Sequence, residues 1–324
     1  MGVIRMLNRF ATTVLPLGLG ALGALVAAPP ALAVEGATGM YILGSRTTAG
    51  GVVPPPGNYF QQSLYVYSGS ADAGIPRSGG VDVGLDADAY VGLTSFLAVP
   101  EMAPILGGRA YFSGTLVYGY KDLDIGATLR TPGGATISGS RSEDDFLFGD
   151  PVVGTGLGWG AGPWFGSLNL LVNLPVGDYE KGRPTNVSFN RWATDVTGAL
   201  TWLDQASGWQ ADIAMGITFN GENEDTNYES GDEFHIELAA ARSFASGWTL
   251  GLQGYHYDQI SADKGGAAVL GDFEGEVSGF GPAVAWAGPV GGRPINLEAR
   301  YFHEFDAKNR LEGDALLLNL TIPL

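Results

Sequence analysis

The amino-acid sequence predicts an all-β protein: a transmembrane, antiparallel, up-and-down β-barrel of about 12 strands with periplasmic termini. Three observations carry the prediction. Runs of period-two apolar/polar alternation recur from residue 59 onward, most of them 11–16 residues long. That exceeds the ~5–6 residues typical of soluble strands and suffices for the ~9–11 a tilted strand needs to cross a bilayer. The connections between these runs read long, short, long, short. Six of the seven tryptophans (Trp159, Trp164, Trp202, Trp209, Trp248 and Trp286) fall within a few residues of a short turn, and Trp192 lies near the other end. A ring at a membrane boundary keeps an apolar body and a wet edge.

Residues 1–33 stand apart. Arg5 and Arg9 form a basic start, "ATTVLPLGLGALGALVAA" is apolar, and "ALA" at 31–33 is a small-x-small cleavage site. This stretch is expected to be a secretory signal peptide. Pro16 and the run of glycines argue against a membrane anchor. Residues 34–58 are rich in Gly and Pro, and Pro54, Pro55 and Pro56 favour a stiff extended segment. It either hangs in the periplasm or enters the lumen as a plug. Met40, Tyr41, Ile42 and Leu43 would otherwise be exposed, which favours the plug.

The barrel is expected over 59–324. Its strands fall at about 59–69, 82–98, 108–120, 144–159, 162–174, 188–203, 208–220, 232–244, 247–260, 275–288, 293–304 and 313–324. In 209–220 one face carries Trp209, Ala211, Ile213, Met215, Ile217 and Phe219, and the other Gln210, Asp212, Ala214, Gly216, Thr218 and Asn220. A soluble sandwich also alternates, but the strand lengths and loop order argue against it. Short turns lie at 160–162, 204–207, 245–247 and 288–293. Long loops lie at 121–143, 175–187, 221–231, 261–274 and 305–312. This alternation puts the long loops together on the extracellular side; 99–107 is the one longer periplasmic connection. In the last strand Leu318, Leu320, Ile322 and Leu324 alternate with Asn319, Thr321 and Pro323. An open edge is not tolerated in lipid, so this strand must pair with the first.

Composition excludes several functions. The chain has no cysteine, hence no disulfide or thiolate metal site. Beyond Arg5 and Arg9 it has 15 basic against 34 acidic residues, a net charge near −19, so nucleic acid is not an expected partner. No other stretch approaches 18 consecutive apolar residues, so no transmembrane helix is expected.

No catalytic, metal or cofactor-binding residue stands out. The histidines are His235, His256 and His303. A serine hydrolase needs a serine, a histidine and an orienting group. His256, Asp258 and Ser261 lie close in sequence, but Ser261 falls on the other face or in the loop, and no G-x-S-x-G context appears. The carboxylates Glu222, Glu224, Asp225, Glu229, Asp232 and Glu233 lack EF-hand spacing and read as a solvated loop rather than a calcium site. The expected inner face carries Asp82, Asp86, Asp88, Asp195, Asp212, Glu237 and Glu298, with Arg191 and Arg300 as counter-charges and Tyr90, Tyr111, Phe165 and Phe302 as aromatic surfaces. Two readings stay open: an acidic wet lumen that admits neutral or cationic solutes, or a filled, ion-paired scaffold.

An ordered set of motifs adds a resemblance: "PPPGNYF" (54–60), "FGDPVVGTGLGW" (148–159), "LPVGDYEKG" (174–182), "FNRWATD" (189–195), "FNGENEDTNYESGDEFHIE" (219–237), "GYHYDQISADKG" (254–265) and "EFDAKNRLEG" (304–313). With them the chain resembles the SphA-like family, named for a protein of the phenol meta-cleavage degradation pathway. The resemblance implies an outer-membrane barrel, encoded beside aromatic-catabolism genes, that helps aromatic or other hydrophobic compounds enter. It supplies no catalytic or binding residues. Several motif residues fall at extracellular strand ends or loops and are expected to order a cap over the mouth, as hydrogen-bonding partners more than ligand contacts. They are Asp178, Tyr179, Asn220, Glu222, Asn223, Tyr228, Gly231, Asp232, Asp258, Gln259, Asp306, Lys308 and Asn309.

The expectation is therefore a passive outer-membrane channel for small hydrophobic or aromatic solutes, not an enzyme, with lipid and solute as its partners. A structural or adhesive barrel and an outer-membrane hydrolase are the alternatives.

Overall fold

Long alternating strands leave one face for lipid and one for the lumen, and only closure pairs every backbone group between them. The computed structural model describes residues 39–75, 81–130, 136–265 and 274–324. The expected signal peptide lies outside them. The wall strands in chain order are β1 (Gly57–Ile75), β2 (Val81–Val99), β3 (Arg109–Arg130), β4 (Thr136–Phe148), β5 (Val152–Ala161), β6 (Trp164–Asn173), β7 (Ala193–Leu203) and β8 (Trp209–Asn220). Two-residue β9 (Glu222–Asn223) and β10 (Tyr228–Glu229) precede β11 (Glu233–Ser243) and β12 (Trp248–Gln259), and β13 (Lys264–Gly265) precedes β14 (Glu276–Val290), β15 (Arg293–Lys308) and β16 (Glu312–Pro323). β4 and β5 both pair with β3 and form one wall strand interrupted at 149–151. The wall is thus a closed twelve-stranded antiparallel barrel. Closure joins β1 to β16 from Tyr59↔Pro323 to Ser70↔Glu312. The small strands β9, β10 and β13 form a separate sheet in the extracellular loops.

The outer face is apolar at membrane height. Phe96, Phe112, Leu116, Leu168, Leu200, Met215, Leu238, Leu250, Leu252, Phe280, Leu297 and Leu318 are all exposed there. In a soluble domain such a surface would need a cover. Trp164 registers with Trp202, and Trp248 with Trp286, beside the short turns. Leu318 faces outward while Ala315 and Leu317 are buried, as the terminal alternation requires.

Three expectations need correction. Residues 121–143 are not mainly loop: β3 and β4 continue as a hairpin from Tyr118↔Phe148 to Arg130↔Thr136. β1, β2 and β3 have 19, 19 and 22 residues, so they rise well past a membrane-spanning length. Above the lipid the alternation inverts, because the exterior is now wet. Leu85, Ala87 and Ile125 turn inward to pack with Tyr67, Tyr255 and Tyr257, while Asp86, Asp88 and Tyr90 point outward and are exposed. These three, expected in the lumen, are not there. The side chain of Asp82 lies outside the described residues.

Second, 188–192 is not strand. Ser188, Phe189 and Asn190 all bond to Asp150, and Asn190 adopts a positive φ of 52°. Third, the N-terminal segment is not extended. Residues 43–51 are a chain of turns, with Gly44 at φ 81°. Its expected part 34–38 lies outside the described residues.

Candidate functional site: the barrel lumen

Residues 39–53 lie within the barrel, bound to one side of its wall. Glu237 on β11 is fully buried and accepts the backbone N–H groups of Gly44 and Arg46, each at 2.7 Å. Asp212 on β8 accepts the N–H of Ala49 at 3.0 Å, and Thr201 on β7 that of Gly51 at 3.0 Å. Arg300 on β15 donates to the carbonyls of Gly44 and Ser45 and to the Thr48 hydroxyl, and pairs with Glu298 at 2.7 Å. The Thr48 hydroxyl in turn donates to Glu298. Tyr41 stacks on His235 with ring centroids 3.6 Å apart, and Asp195 accepts from His235 Nε2 at 2.9 Å. A turn segment without ladder partners must satisfy its polar backbone elsewhere. The lumen carboxylates do this here. Two glycines allow the close fit: a Cβ at Gly44 would lie 2.4 Å from the Phe302 ring, and one at Gly51 2.5 Å from the Phe165 carbonyl oxygen.

The opposite side of the lumen is open. A cavity of about 430 Å³ runs between this segment and the inner faces of β1, β2, β3, β5, β6 and β16. Its lining includes Tyr65, Val91, Leu93, Leu97, Tyr111, Val117, Leu171 and Leu317, with the hydroxyls of Ser63, Ser95, Ser113 and Thr115. Its cationic groups are Arg46 and Lys121. The Arg46 side chain lies near the Tyr111 hydroxyl across the lumen.

The extracellular end is tied by three polar clusters. Asp150, 2% exposed, accepts from Gly177 N–H, Ser188 Oγ, Asn173 Nδ2, Phe189 N–H and Asn190 N–H at 2.6–3.1 Å. It seals the wall interruption to loop 174–192. Glu304 accepts the hydroxyls of Tyr67 and Tyr255, both at 2.7 Å, while the Arg310 guanidinium sits 4.2 Å above the Tyr257 ring. Asp263 accepts from Tyr228, Gly231 N–H and Gln259. Burial pushes the Asp263 carboxyl up.

The expected site residues divide accordingly. Tyr111, Phe165, Arg191, Asp195, Asp212, Glu237, Glu298, Arg300 and Phe302 face the lumen. Of these only Tyr111 lines the open cavity, and the acidic ones serve the segment's side. These carboxylates accept backbone amides and hydroxyls, as in the second of the two readings left open by the sequence. Arg191 is buried, donates to Asn220 and covers the Phe189 ring. Among the expected cap residues, Tyr179 bonds Asn223, Asn220 bonds Gly231 O and Glu233, and Tyr228 and Gln259 meet at Asp263. Asp178 accepts from Phe148 N–H, and Asp232 N–H donates to Ser261. Glu222, Asp306, Lys308 and Asn309 are exposed, and Asp258 sits on the outer face of β12. His256 contacts Ser278 Oγ at 3.0 Å on that outer face, so the sequence neighbours His256 and Ser261 do not meet. Sequence reasoning missed Asp150, Glu304, Arg310, Asp263, Arg46 and Lys121 as organising groups. Asp150, Asp263, Glu304 and Arg310 had a signal: each sits in a quoted motif.

A closed barrel with an apolar exterior and part of its own chain in the lumen is an outer-membrane β-barrel protein. The chain belongs to the family described as "Putative MetA-pathway of phenol degradation", whose pattern matches residues 70–320; the resemblance read from the motifs is upheld. The structure is similar to the COG4313 outer membrane channel from Pseudomonas putida F1, with a TM-score of 0.62 and 13% identity over 88% of this chain and 100% of that one. Likeness to a FadL homologue of Pseudomonas aeruginosa (TM-score 0.38, 8% identity, 82% of this chain and 89% of that one) and to the CymD monoaromatic hydrocarbon channel (0.42, 7%, 84% and 89%) is too loose to carry an argument. No curated protein matches the sequence.

Proposed function

We propose that the protein is a passive outer-membrane channel for small hydrophobic or aromatic compounds. One observation carries this reading: the cavity of about 430 Å³ left beside the N-terminal segment, whose apolar lining is interrupted by hydroxyls, amides and the cationic groups Arg46 and Lys121. A path of that character holds an apolar solute without binding it tightly. The Pseudomonas putida protein of similar fold is an outer membrane channel, and the family description points to phenol degradation. The N-terminal segment acts as a fixed insert that narrows the lumen and rejects bulky polar solutes.

The test is flux into liposomes with a lipopolysaccharide outer leaflet, which passes apolar solutes slowly. Phenol-like aromatics enter faster with the protein than without it, and sugars do not. Ser113→Trp, which fills the passage, removes the gain. No gain for aromatics over protein-free liposomes defeats the channel reading and favours a structural barrel.

A further inference from the structure

The lumen separates its charges by side. Glu237, Asp212 and Glu298 accept groups of the N-terminal segment, and Asp195 accepts from His235 and Thr218. Asp150 borders the open cavity, but five donors occupy its oxygens. The cations are disposed differently. Lys121 projects from the inner face of β3 and is only 9% exposed. Its ammonium donates to the carbonyl of Asn186 at 2.7 Å, and among the described residues it has no carboxylate within ion-pair reach. An ammonium carries three donors. A buried cation without a counter-ion is costly, and such a group on a cavity wall is complementary to an anion.

Arg46 holds a second position in the same cavity. Its guanidinium meets Tyr111, ten residues below Lys121 on the same strand. At about 3.3 Å per residue the two positions lie roughly 33 Å apart along β3. Between them the wall is apolar at Val117, Leu93 and Leu97, with the Ser95–Thr115 hydroxyl pair.

We propose that the passage carries organic anions: an aromatic or apolar body with one negative head, the class of aromatic carboxylates and sulfonates. Lys121 binds the head toward the outer end, and Arg46 receives it toward the periplasm. The proposal rests on the channel reading and names the solute class for that same path. It reverses the preference that a net charge of −17 suggests, because charge on the outer loops and the segment's side does not face the solute.

The test compares two permanently charged aromatics that cross lipid slowly, benzenesulfonate and benzyltrimethylammonium, in liposomes carrying the full chain. The wild type passes the anion about tenfold faster than the cation, and Lys121→Met removes that preference while Lys121→Arg keeps it. Heat-modifiable gel migration checks that each variant is folded. Arg46→Met lies outside the wall, leaves barrel closure untouched and also lowers the anion preference. Equal or faster passage of the cation in the wild type overturns the proposal. So does an anion preference unchanged in both Lys121→Met and Arg46→Met. Passage of neutral phenols without any anion preference overturns this proposal alone, whereas no flux of any aromatic overturns the channel reading with it.

Discussion

Glu237 holds the N-terminal segment by two backbone N–H groups, each 2.7 Å from one of its carboxylate oxygens. Glu237→Ala removes both acceptors and leaves two buried donors. Hydrogen bonds to a charged group contribute ~1.5–3 kcal/mol each, so docking weakens by about 3–6 kcal/mol. The undocked fraction rises by about a hundredfold or more. Trypsin reads this directly, because Arg46 lies in the docked segment and is cleavable only when the segment leaves. When opening and closing outpace cleavage, the rate follows the open population. The expected result is cleavage after Arg46 about a hundred times faster than in wild type, with a new N-terminus at Thr47. Glu237→Gln keeps one acceptor oxygen and gives an intermediate rate. A rate within about threefold of wild type in Glu237→Ala, under 1 kcal/mol, refutes the view that these two bonds anchor the segment.

Other substitutions test other parts of the account. Asp150→Ala leaves five donors without their acceptor; it lowers unfolding free energy by about 3–5 kcal/mol, read from the urea midpoint in detergent. Leu252→Arg places a charge on the lipid face and costs about 2–4 kcal/mol near the midplane, whereas Asp88→Lys on the wet exterior of β2 changes stability by about 0.5 kcal/mol or less. The same urea titration separates the two, and equal costs would place Asp88 in lipid. Tyr255→Phe removes a 2.7 Å bond to buried Glu304 and costs about 1–3 kcal/mol, with the Tyr67→Phe, Tyr255→Phe pair costing more than either alone.

Much of the wall was legible in the sequence, because a bilayer imposes a strict period on every strand. Trp209 through Phe219 alternate as the lipid face requires, and Leu318 follows the same rule to the end of the barrel. The rule fails where the lipid ends. Asp86 and Asp88 have the parity of Tyr90 and Phe96, but only strand height tells which medium the exterior meets, and height follows from the β3–β4 hairpin register. Strand 188–203 was overextended because Ser188, Phe189 and Asn190 find acceptors on Asp150, distant in sequence. Asp195, Asp212, Glu237 and Glu298 sit at inward positions of their strands. Their role was not legible, because their partners are backbone amides of a segment with no periodicity of its own. Lys121 gave no signal: it opened the expected loop 121–143, and only the continuation of β3 past residue 120 turns it toward the lumen.

The central claim is that a selective passage runs beside the docked N-terminal segment. The most direct measurement is the flux of a phenol-like aromatic and a sugar through the full chain and through the chain lacking residues 34–56, which leaves β1 whole, in the same lipopolysaccharide-faced liposomes. The full chain is expected to pass the aromatic and exclude the sugar, and the truncated chain to pass both. Aromatic flux that appears only after truncation would contradict the central claim, and would make the segment a stopper rather than one wall of the path.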